Sequence, residues 1–146
     1  MIGNPLSSWQ LWACLSAAFA ALTAIFAKIG VEGVGSDFAT FVRTIVVVLA
    51  SGALLAVTGG WQPPGSVPAR SWLFLLLSGL GTGASWLCYF RALKLGDASR
   101  VAPIDKLSVV LVAVFGAVIL GERLSAANWI GVLLIAAGAV LAAWKG

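Results

Sequence analysis

The chain has 146 residues, of which 61% are apolar and 10% charged. A soluble domain is about half apolar and about a quarter charged, and a soluble fold of this size has neither the interior for these apolar side chains nor the charges to cover its surface. The composition excludes an ordinary cytosolic enzyme, a disordered chain and a coiled coil, and leaves an integral membrane protein.

Crossing a hydrocarbon core of about 30 Å takes roughly 20 apolar residues in a helix. Five runs meet that length. The first is about Leu11–Ile29, closed by Lys28 and the turn GVEGVGSD. No basic stretch precedes it, so it reads as a transmembrane helix rather than a cleaved signal peptide. The second is about Phe38–Val57, ended by Gly59-Gly60. The third is about Ser71–Leu93, after the Pro-rich loop WQPPGSVPAR. The fourth is about Ser99–Leu120, ended by Gly121-Glu122-Arg123, and the fifth is about Asn128–Trp144. Stretches such as TIVVVLASGALLAV are apolar on every side, which suits helices and not the strict alternation of a transmembrane barrel. The expected fold is all-α: one domain over 1–146, a bundle of five transmembrane helices with antiparallel neighbours.

Local signals mark the helix ends. Asp97 or Ser99 is placed to cap the fourth helix and Ser125 the fifth. Pro103 then falls in about the first turn of the fourth helix, where its missing N–H costs little. Small residues recur: Ala13, Ala17, Ala20 and Ala24 form a stripe on the first helix, Gly79, Gly83 and Ala84 lie on the third, and Gly131 and Gly138 on the fifth. Such faces let helices approach closely in lipid.

The formal charge is +4. The basic residues are scattered singly between apolar runs, with no stripe to track phosphates, so nucleic acid is not an expected partner. They set orientation instead. Lys28, Lys94, Arg100 and Lys145 fall on one side, with Arg43 and Arg91 just inside the membrane; Arg70 and Arg123 fall on the other. The richer side is cytoplasmic by this rule, which places the N-terminus outside and the C-terminus inside. Trp9, Trp12, Trp61, Trp72 and Trp129 all fall at the opposite interface, as an aromatic belt does. Cys14 and Cys88 sit in apolar runs and read as packing residues, not as a disulfide or metal site. The chain has no His, which removes His metal sites, Ser-His triads and His relays together. No cofactor is expected.

Charges inside spans are costly and tend to be paired or to line a solute path. Arg43, Arg91, Asp105 and Lys106 lie about 3–10 Å inside one interface at 1.5 Å per residue. Asp105 and Lys106 point roughly 100° apart on a helix, so Asp105 is expected to pair with Arg43 or Arg91 across helices. Two readings stand side by side: a structural ion network with the arginines reaching the interface, or a coupling layer centred on Asp105, whose short side chain does not reach. On the third helix Gly79, Thr82, Trp86, Tyr89 and Leu93 share a face. Trp86 lies deeper than a belt, and with Tyr89 it forms either an aromatic wall for substrate or a packing surface. Ser16, Thr23, Ser51, Ser85 and Ser108 are weaker candidates, because such hydroxyls often bond their own i−4 carbonyl.

The stretch from Ser85 to Leu141 carries YFRALKLG at one helix end, VAP opening the next, the hairpin GERLS and a Gly-rich last helix, IGVLLIAAGAVL. With AKIGVEG and Arg43-Thr44 upstream, this order resembles the EamA family of the drug/metabolite transporter superfamily, in its short five-helix form. The resemblance implies a transporter of small metabolites working by alternating access in the cell (inner) membrane. Most relatives carry ten helices as two inverted repeats. One repeat here implies a homodimer or a half-size membrane partner, because sites in such transporters lie between repeats.

Two other classes compete. One is a non-transporting subunit that packs with a partner membrane protein. The other is an intramembrane enzyme built on Ser108 and Lys106, but two residues apart on a helix they point roughly 200° apart and do not meet. No Walker A loop is present, so any coupling runs on an ion or proton gradient, with Asp105 the group to titrate.

Overall fold

The computed structural model describes residues 8–144, and all its regular structure is helical: α1 (Trp9–Gly30), α2 (Ser36–Thr58), α3 (Ala69–Leu95), α4 (Ala98–Asp105), α5 (Ser108–Ile119) and α6 (Ala126–Ala143). Five stretches are long and apolar enough to cross a membrane, with α4 and α5 together forming the fourth, Ala98–Ile119. Lys145, counted above for orientation, lies outside the described residues. Each span extends or trims the expected run by a few residues at most, because hydropathy sets its length and the caps set its ends.

The residues form two compact units, one of residues up to Ile29 with those from Leu95 on, the other Gly30–Lys94. In the second unit, α2 stops at Gly59, whose φ of 65° lets its N–H turn back to the Leu55 carbonyl; a side chain there would be strained. The Pro-rich loop makes a 3-10 turn over Pro64–Ser66, and the Trp72 indole N–H donates to the Pro64 carbonyl at 3.3 Å. Burial in this unit gathers where α2 begins and α3 ends: Val31, Thr40, Phe90 and Leu93 are all buried.

In the first unit, α6 packs on α4 and α5. Its least exposed positions are Trp129, Gly131, Val132, Ala136, Ala139 and Ala143, most of them recurring at helical spacing. Ala136, Ala139 and Ala143 are small enough for close backbone approach, whereas Gly138 faces outward. The small stripe on α1 is buried at Ala24 and continues to Ala27, while Ala13, Ala17 and Ala20 are exposed. Ser125 caps α6 in a reciprocal box: its hydroxyl oxygen accepts from the Asn128 N–H, and the Asn128 side chain accepts from the Ser125 N–H.

The fourth span departs from the expected single helix. It begins at Ala98, so Pro103 is its sixth residue. The missing proline N–H is one that would have bonded the Ser99 carbonyl. Beyond it the backbone tightens into i→i+3 bonds, from Lys106 N–H to Pro103, Leu107 to Ile104, Val109 to Lys106 and Val110 to Leu107. Lys106 and Leu107 sit at ψ −7° and −17°, close to 3-10 geometry. Asp97 stands at the N-cap without a side-chain cap bond; its carboxylate lies 3.9 Å from Arg100. Ser99 lies inside the helix.

Candidate functional site

In the unit Gly30–Lys94, side chains rather than close backbone approach join α2 to α3. The outermost tie is Lys94 Nζ, donating to the Val34 carbonyl at 2.9 Å. Next, Arg91 meets Asp37 through two hydrogen bonds, Nε to Oδ1 at 3.1 Å and the terminal N–H to Oδ2 at 2.9 Å. Deeper, the Arg43 guanidinium lies over the Trp86 ring, 4.0 Å from its centre, with Phe90 at 5.6 Å. From Val34 in the turn to Asp37 and Arg43 on α2 the chain moves inward, while from Lys94 to Arg91 to Trp86 it moves inward from the end of α3. The two helices are therefore antiparallel, in a register fixed by charge and aromatic contacts.

The expected pairing of Asp105 with Arg43 or Arg91 would join the two units; within each unit the charges find other partners. Arg91 is engaged by Asp37, which the sequence reading had left in the turn before the second helix. Asp105 meets Lys106, Nζ to Oδ2 at 3.2 Å. An uninterrupted helix would aim these neighbours apart; the tightened turn at Lys106 brings them together. Arg43 is half-buried and rests on aromatic faces. Asp37 does not serve Arg43 as well, because six residues separate them and their side chains leave α2 roughly 120° apart.

Burial varies along the face expected on α3. Trp86 and Tyr89 are half-buried and Leu93 is fully buried, but Gly79 and Thr82 are exposed. Phe90, 3% exposed, is the member the sequence reading missed. Its signal was available: it lies four residues from Trp86 on the same turn-to-turn ladder. Of the hydroxyl candidates, Ser51 donates to the Val47 and Val48 carbonyls of its own helix. Thr82, Thr40 and Thr44 bond their own i−4 carbonyls in the same way. Of the six candidate residues, Arg43, Trp86, Tyr89 and Arg91 lie on α2 and α3 of one unit, and Asp105 and Lys106 lie where α4 gives way to α5 in the other. On α1, Lys28 Nζ donates to the Gly96 carbonyl at 2.9 Å, so this loop lysine holds a helix end.

The EamA-like transporter family matches residues 7–144. An uncharacterized transporter in the cobO 3' region of a Sinorhizobium species is 65% identical over 136 residues, covering 93% of this chain and 96% of that protein. No solved structure matches. With membrane-length helices, intramembrane charges and a family match over nearly the whole sequence, the chain belongs to the EamA-like transporter family, a multi-pass membrane transporter family and not a family of enzymes.

Proposed function

We propose that this chain is half of a secondary-type exporter or exchanger, moving small metabolites or drug-like solutes by alternating access as a dimer of five-helix repeats. The observation that carries this reading is a guanidinium inside a span, Arg43, held by aromatic rings instead of a carboxylate. An intramembrane charge with no carboxylate partner among the described residues of its unit is expensive and is best explained by a solute path. In this reading Arg43, Trp86 and Tyr89 meet the solute, and Arg91 with Asp37 holds α2 and α3 in register around them. Asp105 and Lys106 serve coupling, supported by their place at the tightened turn of the fourth span; mid-helix 3-10 stretches often mark hinges.

The dimer completes a site that longer relatives build from two repeats. An antiparallel homodimer in the cell (inner) membrane reproduces their inverted geometry. It requires insertion both ways, against a Lys and Arg bias that favours the N-terminus outside. Labelling single cysteines near the C-terminus in intact cells separates the arrangements: access from both sides supports the antiparallel pair, and access from one side in every molecule replaces it with a parallel dimer or a partner chain of opposite orientation.

Transport itself is tested by a solute-flux screen in proteoliposomes, with and without a pH gradient. Flux above protein-free vesicles is expected for at least one solute. Its absence across carboxylates, amines and neutral metabolites would favour a subunit that only packs with another membrane protein.

A further inference from the structure

Arg43 carries five N–H donors in one plane. Its contacts among the described residues are with ring faces; none is a hydrogen bond to a carboxylate or carbonyl. Among those residues, no fully buried side-chain nitrogen or oxygen lacks a partner, so the unbonded donors of Arg43 reach the molecular surface. They do so about 10 Å along α2 from Ser36, deeper than the interfacial turn where Asp37 and Arg91 pair. Cations also outnumber acids at this end of the unit: Arg43, Arg91 and Lys94 against Glu32 and Asp37, with Asp37 already bound twice by Arg91.

A guanidinium on an aromatic face keeps its fork of donors for a planar oxyanion, which it binds with two parallel hydrogen bonds. The half-buried ring of Trp86 beside it, backed by the buried ring of Phe90, offers apolar area to the rest of such a molecule. We propose that Arg43 and Trp86, with buried Phe90 supporting them, form a binding site for an amphipathic organic anion, the oxyanion on the guanidinium and the apolar body along the Trp86 ring. This rests on the transport reading above and narrows its solute class to organic anions.

The test uses the full chain purified in a maltoside detergent at constant ionic strength. Thermal unfolding is followed against benzoate, its neutral analogue benzamide and the cation benzylammonium. Benzoate is expected to raise Tm saturably, and the other two are not. Arg43→Gln should weaken the benzoate effect about tenfold to hundredfold, the range for a lost charge-assisted hydrogen bond. Arg43→Lys keeps the charge but not the fork and should fall between, which keeps the test decisive if the Gln variant folds poorly. A lipid headgroup offers the same oxyanion, so a second arm titrates phosphatidylglycerol. Stabilisation by that lipid alone, dependent on Arg43, would overturn the solute site. Equal effects of benzoate and benzamide, or an undiminished benzoate effect in both Arg43 variants, would overturn it as well. Failure of the site and failure of transport are distinguishable: flux of amines or neutral solutes without anion stabilisation removes the site and leaves transport, whereas Arg43-dependent benzoate binding in a protein without flux does the reverse.

Discussion

The α2–α3 pair and the α4–α6 segment solve one physical problem in opposite ways. Both must hold helices together where lipid offers no hydrophobic drive between them. In α4–α6 the answer is small side chains: Ala136 and Ala139 let α6 lie close on its neighbours. In α2–α3 the answer is large polar and aromatic side chains that reach across, Asp37 to Arg91 and Arg43 to Trp86. Close packing leaves no space for a solute, whereas a pair joined by long side chains can exchange one of its partners for a ligand. The charges of α4 stay local, Asp105 on Lys106 and Arg100 beside Asp97, and there it is the backbone that departs from regularity.

The largest expected effect comes from breaking the local charge of the fourth span. Asp105→Asn keeps the shape and removes the carboxylate. It should abolish gradient-driven accumulation while solute exchange without a gradient persists, measured in the same vesicles. Wild-type accumulation at every pH would remove Asp105 from coupling.

Trp86→Ala removes the ring beneath Arg43 and should weaken solute binding roughly threefold to thirtyfold, the range of a cation–π contact. Trp86→Phe should recover much of it. Equal losses in binding and folding would return Trp86 to a packing role.

The close-packed side is sharpened by two substitutions on one helix. Ala139→Leu forces bulk into the buried face of α6 and should cost about 1–3 kcal/mol. Gly138→Ala, one residue earlier with open space around its α-carbon, should be neutral or stabilising through helix propensity. Reversible unfolding in mixed micelles reads both. A penalty at Gly138 as large as at Ala139 would mean that the packed face of α6 is wrongly assigned.

Much of the frame is readable from residues alone, because run length and hydropathy determine which segments span, and Ser125 with Asn128 marks a helix start three residues apart. The ion pairs were not. Reading the second helix from Phe38 left Asp37 in a turn, although it and Arg91 lie at matching distances from one interface. Placing the fourth helix start at Ser99 put Pro103 in about the first turn, and a start at Ala98 with Pro103 sixth turns the same proline into a break. That break in turn decides where Asp105 points. Side-chain partners across helices depend on register, and the long loop between α2 and α3 leaves register open in the sequence.

The smallest effect tests register directly. Asp37→Asn should lower Tm modestly, since the pair with Arg91 lies on the exposed side of both helices and such pairs contribute little. Exchanging the two, Asp37→Arg with Arg91→Asp, should restore it. No recovery would mean that the pair does not set the register.

The central claim is that this five-span chain, paired as a dimer, moves solute past Arg43. Its most direct test is solute exchange in vesicles containing wild type or Arg43→Gln at equal reconstituted amounts, across carboxylates, amines and neutral metabolites. The account predicts exchange of an organic anion well above protein-free vesicles in wild type, falling to background in Arg43→Gln. Exchange undiminished in the variant, or none above background in wild type for any solute, would contradict it.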